Sequence, residues 1–192
     1  TIQIIQALNN IGTDYRRMGI LDEASSYHYQ ALTCSDRYSD KTGNVAIKNR
    51  VVSLNGIGNV QLTLGNTAVA DSAFRLALKG EIYLGSLVGQ AINYANIGAI
   101  LEGKGQIDSA RYYYSRSLKC NEEADSRLGI SLCHTHFGRL YENEGEIDKA
   151  IVEYREAYNL MKESRDRWHF NVSKTDGIER ITPSRHQQQR QR

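Results

Sequence analysis

One phrase returns along the chain at fixed spacing. Asn96-Ile97-Gly98 is followed, seven residues after its glycine, by Gly105-Gln106-Ile107-Asp108-Ser109-Ala110. Forty residues later His136-Phe137-Gly138 precedes Gly145-Glu146-Ile147-Asp148-Lys149-Ala150, and forty residues earlier Gly56-Ile57-Gly58 precedes Gly65-Asn66-Thr67-Ala68-Val69-Ala70. A fourth copy opens the chain, with Asn10-Ile11-Gly12 ahead of Gly19-Ile20-Leu21-Asp22-Glu23-Ala24. A period of this length restricts the fold to a solenoid, because one unit cannot bury its apolar face alone and must stack on its neighbours.

Within each period the apolar spacing is helical. Ile4, Leu8, Ile11 and Tyr15 form one stripe, and Gly19 ends that helix. The next helix starts near Asp22, a helix-start residue, and turns Ala24, Tyr27, Ala31 and Leu32 inward. The third unit predicts an inward face of Leu87, Ala91, Tyr94, Gly98 and Leu101, meeting Ile107, Ala110, Tyr114 and Leu118. In the fourth, Leu128, Leu132, Phe137 and Tyr141 are expected against Ile147, Ala150, Tyr154 and Ala157. The first step is 46 residues rather than 40, so an insertion is expected between Asp36 and Lys48, with Asp40 to Asn44 as its turn. A single proline, Pro183, lies beyond the repeats and fits long uninterrupted helices.

These slots resemble the tetratricopeptide repeat, a helix-turn-helix unit with a W-x₂-L-G-x₂-Y…A-x₃-F pattern. The Leu-Gly slots hold Ile11-Gly12, Ile57-Gly58, Ile97-Gly98 and Phe137-Gly138. The small-residue slot holds Ala24, Ala70, Ala110 and Ala150, and the aromatic slot four residues on holds His28, Phe74, Tyr114 and Tyr154. The Trp slot departs from the pattern, with Leu8, Leu54, Tyr94 and His134, and the period of 40 exceeds the family's 34, as in the long variant of kinesin light chains and bacterial signalling regulators. The resemblance implies an all-α fold, a right-handed α-solenoid of four units (about 1–40, 44–84, 85–125 and 126–165). A capping helix at 166–181, carrying Trp168, Phe170 and Ile178, and a polar basic tail at 182–192 complete the expected layout.

In this family the first helices line a groove. Carried over by position, the groove slots are Asn9, Asn10, Thr13 and Arg16; Asn55 and Asn59; Asn96 and Glu102; and Thr135, His136, Arg139 and Glu142. An asparagine amide both donates and accepts, which suits a peptide backbone of any sequence, and arginine can hold a carboxylate through paired charged bonds. The expected partner is therefore a peptide or protein segment. The alternative is a sensory or dimerising domain of a bacterial transcriptional regulator or histidine kinase, with a homo-oligomer possible.

Other chemistries find little support. From Lys162 onward eight Lys or Arg stand against four Asp or Glu, which leaves the repeat body at net −2 and argues against direct nucleic-acid binding by it. No apolar run approaches the ~20 residues of a membrane span. Thr1 opens the chain without a Met or a signal-like segment, which reads as part of something longer and leaves the compartment open between cytoplasm and periplasm. Cys34, Cys120 and Cys133 lack metal or disulfide spacing. His134 and His136 point roughly 200° apart on a helix, so they share no metal. Gly56-x-Gly58 lacks a third glycine and a preceding strand. Glu142, Glu144, Glu146 and Asp148 straddle a turn as solvated charges. The reading is a non-enzymatic scaffold without a cofactor.

Overall fold

The computed structural model describes residues 2–37 and 43–179, with side chains as far as 165. These residues form helices only: α1 (Ile2–Arg17), α2 (Leu21–Arg37), α3 (Asn44–Thr63), α4 (Thr67–Tyr83), α5 (Leu87–Gly103), α6 (Ile107–Glu123), α7 (Arg127–Asn143) and α8 (Ile147–Glu179). Each odd helix packs on the even helix that follows it, and each even helix packs on the next odd one, so contacts pass from neighbour to neighbour along a stack. The all-α solenoid is what the repeat requires.

The breaks between helices share one hydrogen-bond pattern. The amides of Ile20, Asn66, Ser86, Gln106, Ser126 and Glu146 each reach back five residues to a carbonyl of the preceding helix, at 2.8–3.0 Å. That closure needs a left-handed residue just before the donor. Gly19, Gly65, Gly85, Gly105 and Gly145 supply it at φ +66 to +82, and Asp125 alone supplies it at φ +50 without being glycine.

This pattern also explains a correction at the C-terminal end. The expected separate capping helix is instead the continuation of α8, which runs unbroken from Ile147 to Glu179. In the slot of Gly85 and Asp125, forty residues after the latter, stands Arg165, a residue disfavoured in the left-handed region, so nothing breaks the helix there. The side chains of Trp168, Phe170 and Ile178, the tail at 182–192, and Asp40, Lys41 and Thr42 of the expected insertion turn lie outside the described residues. The insertion itself lengthens a helix: α3 has 20 residues where α5 and α7 have 17.

The recurrent glycines exist because aromatic rings sit on them. A β-carbon at Gly58 would lie 2.5 Å from the Phe74 ring, at Gly98 2.8 Å from Tyr114, and at Gly138 2.7 Å from Tyr154. The main core follows this contact across unit boundaries, joining Phe74, Ile97, Leu101, Ala110, Tyr114 and Leu140 into one cluster. Some residues expected inside are exposed instead: Ile4, Ile11, Leu128, Leu132, Ile147 and Tyr154. They fall on the two ends of the described stack and on the outward face of the first helices, where no other described helix covers them.

Candidate functional site

In the second, third and fourth units the first helix carries, besides its buried stripe, an outward face that includes an aliphatic residue. In α5, Ala91, Tyr94, Ile97, Gly98 and Leu101 are buried against the second helices, while Val88 and Ile92 are exposed and Ala95, Asn96 and Ala99 half-buried. Positions 88, 92, 95–96 and 99 follow one another at turns of the helix and make a second face. The same slots are Lys48, Val52, Asn55–Gly56 and Asn59 in α3, and Leu128, Leu132, Thr135–His136 and Arg139 in α7. In α1 they include Gln6, Asn10 and Thr13.

Side by side, these faces enclose a row of cavities. One of about 440 Å³ lies between α1 and α3, among Gln6, Asn9, Asn10, Lys48, Asn49 and Val52. A second, of about 350 Å³, lies among Lys48, Val52, Glu81, Leu84 and Ser86. A third, of about 200 Å³, lies between α5 and α7 among Ile92, Ala95, Asn96, Gly129, Leu132 and His136.

The expected groove residues divide into those that face outward and those spent internally. Asn10 and Arg16 are exposed, Asn59 and Asn96 half-buried, and none of the three asparagine amides bonds another described residue. Asn55 is half-buried with its Oδ1 turned inward and unpartnered. Asn9 is buried: its Nδ2 donates to Ser53 Oγ at 2.9 Å, and its Oδ1 accepts from His28 Nδ1 at 3.0 Å, so it ties α1 to α2 and α3. Burial, with nearby Arg16 adding to it, lowers the His28 pKa to about 4. Thr13 and Thr135 donate back to the carbonyls of Asn9 and Ser131.

The charged residues form a bridge between units three and four. Arg139 Nε and Nη2 donate to the two oxygens of Glu102 at 2.6 Å each, and Tyr114 Oη donates to Glu102 at 2.6 Å. Burial alone would raise the Glu102 pKa, but the bonds from Arg139 and Tyr114 outweigh it and hold the carboxylate below its usual range. His136 stacks flat on Tyr114 with centroids 4.4 Å apart, and burial followed by the Arg139 charge lowers its pKa. Tyr154 repeats the motif one unit on, donating to Glu142 at 2.8 Å. Arg139 thus serves its own array, and a ligand carboxylate would compete with Glu102 for it.

Cys133, His134 and His136 turn to different partners, Ser117, Glu153 and Tyr114. Among the described residues no group of three or more His, Cys, Asp or Glu is arranged to hold a metal, and no helix is long and apolar enough to cross a membrane.

The model of the tetratricopeptide repeat family matches residues 133–161, the stretch that contains Gly138, Gly145, Ala150 and Tyr154. The repeats are of the tetratricopeptide type. Solved structures agree on the fold. The apo form of RapI superimposes with a TM-score of 0.76 at 13% identity, over 86% of this chain and 58% of that one. Aspartyl phosphate phosphatase F from Bacillus subtilis gives 0.77 at 18% identity, over 86% and 42%. A Rap protein complexed with competence and sporulation factor gives 0.74 at 20% identity, over 86% and 45%. This tetratricopeptide array therefore spans about half the length of each. No curated protein sequence matches the chain.

Sequence reasoning found the asparagines of this face and missed its aliphatic half, Val52, Ile92 and Leu132. The signal was available: those three are the same slot at 40-residue intervals, apolar each time, although the stripe expected in the fourth unit counts Leu132 as inward.

Proposed function

We propose that this array is a non-enzymatic scaffold that binds a peptide or protein segment along the face built by its first helices. The observation that carries the reading is the juxtaposition of an exposed aliphatic row, Val52, Ile92 and Leu132, with the amides of Asn10, Asn59 and Asn96, of which Asn10 and Asn96 line open cavities. The aliphatic row takes apolar side chains of the segment, and the amides pair with its backbone. A solved structure of similar fold holds competence and sporulation factor, which supports the use of such an array for ligand recognition; another is named a phosphatase, so the non-enzymatic part rests on the site residues alone. Replacing Asn59 and Asn96 by alanine lowers affinity for a bound peptide tenfold or more while far-UV circular dichroism and melting are retained; unchanged affinity contradicts the reading.

A second reading, a sensory domain that transmits ligand binding to an output, is supported by α8, which leaves the array as one helix through Glu179. It is tested by hydrogen exchange along residues 166–179 with and without bound peptide, and unchanged exchange there counts against it.

A further inference from the structure

The cavity between α5 and α7 has a polar floor that the array does not use up. Asn121, 6% exposed, lines it together with Ser117. The Asn121 Nδ2 is spent internally: it donates to the Ser117 carbonyl at 3.1 Å and contacts Ser117 Oγ and Cys133 Sγ. Its Oδ1 bonds no described residue and lies over Gly129, where a β-carbon would overlap it. A buried residue whose carboxamide oxygen has no protein partner, beside a cavity, is an acceptor open to a ligand donor.

The rim supplies the matching donor. Arg139 Nη2 lies 3.2 Å from His136 Nδ1. An arginine only donates, so Nδ1 accepts, and the ring, held neutral by burial and by that cation, carries its proton on Nε2, which bonds no described residue. Asn96 adds an amide that both donates and accepts. The walls are aliphatic, Ile92 and Leu132, and the slots that hold Val51 and Asn55 one unit earlier hold only Ala91 and Ala95 here, which leaves the opening of about 200 Å³. None of its lining residues is charged, and Arg139 beside His136 is already paired with Glu102.

We infer that this cavity is a side-chain subsite of the peptide face and that it selects an asparagine or glutamine of the bound segment. A carboxamide matches both sets of groups: its N–H donates to Asn121 Oδ1, and its oxygen accepts from His136 Nε2 or Asn96 Nδ2. Its short stem packs between Ile92 and Leu132. A carboxylate sets an oxygen against Asn121 Oδ1, an ammonium sets a donor against the His136 N–H and the Arg139 charge, and an aliphatic side chain leaves the Asn121 oxygen unpaired. The cavity one unit earlier differs at the same place. Glu81 lines that one in the slot of Asn121, so the two junctions do not select alike. The inference rests on the peptide-binding reading and specifies one position of the segment.

Selection from a displayed random-peptide library on the full chain tests it, followed by affinities for one enriched peptide and its substituted forms. The enriched family carries Asn or Gln at one fixed position. Changing that residue to Leu, Glu or Lys weakens binding by about tenfold or more, because a site built to hydrogen-bond a group rejects analogues that lack it. Asn121→Leu removes the preference, so that the Leu-substituted peptide binds this variant as well as the parent peptide does. His136→Phe, which keeps a ring on Tyr114 but no N–H, reduces the preference in the same direction and serves if Asn121→Leu loses helicity. A family that depends on Ile92 and Leu132 but has no Asn or Gln at a fixed position, or a preference unchanged in the folded variants, overturns the subsite and leaves the peptide reading standing. A wild type that enriches no family overturns both.

Discussion

Two side chains show how much structural work a single slot does. Gly98 has its missing β-carbon 2.8 Å from the Tyr114 ring, and that ring is wholly buried, so Gly98→Leu forces the two helices apart. The expected cost is about 1–3 kcal/mol or more, read as a fall in melting temperature; an unchanged value contradicts the packing described for every unit. His28 fills the aromatic slot of the first unit with a titratable ring. Its pKa is about 4 in the fold against 6.5 for an exposed histidine, so the unfolded chain binds the proton more readily. Stability therefore falls as the pH drops from about 6.5 to about 4, by up to about 3 kcal/mol at 1.36 kcal/mol per pH unit, and no further from this group below that. His28→Phe, which copies Phe74 of the second unit, removes this part of the pH slope. Urea unfolding from pH 7 to pH 4 measures it, and equal slopes in the two proteins contradict the assignment. Asn9 follows from the same residue. Its position in the repeat placed it in the groove, but a buried imidazole N–H needs an acceptor, and Asn9 Oδ1 is the one within reach.

Among the elements, boundaries were the most legible feature and outward faces the least. Helix ends follow from chemistry confined to a few residues, a left-handed glycine and the amide after it, so α1 stops just before Gly19 and α2 starts one residue before Asp22, as expected. The end of α8 was missed because the informative fact is a residue that fails to recur, Arg165 where Gly85 and Asp125 stand. The apolar row on the first helices was missed for a different reason. Helical period says that Leu132 and Phe137 belong to stripes, but not which stripe meets another helix and which meets solvent; only the stacking of neighbours decides that. The Glu102–Arg139 bridge couples two such elements. The Glu102 side chain is only 10% exposed, so Arg139→Ala leaves a largely buried carboxylate without its cation. The expected loss is about 1–3 kcal/mol, seen in urea unfolding as weakened coupling of the fourth unit to the third; a variant as stable as the wild type contradicts it.

Over the whole molecule, one repeated contact builds three surfaces. The junction between units is used up internally and makes the core, α1 and α8 bound the described stack, and the row of first helices makes the long face with its cavities. The fold was legible because every unit states it again. The face was only half legible, because Asn59 and Asn96 stand beside the repeat's signature glycines, whereas Val52, Ile92 and Leu132 look like core until the helices are assembled. If recognition lies on that face, the aliphatic row is its energetic centre, since a few well-placed contacts usually dominate binding. The most direct measurement is selection from a displayed random-peptide library on the wild type and on the folded double variant Ile92→Asp/Leu132→Asp. The account predicts that the wild type enriches a family of peptides with apolar side chains at recurring positions and that the variant loses that family. Enrichment of the same family on both proteins, or of none on the wild type, would contradict it.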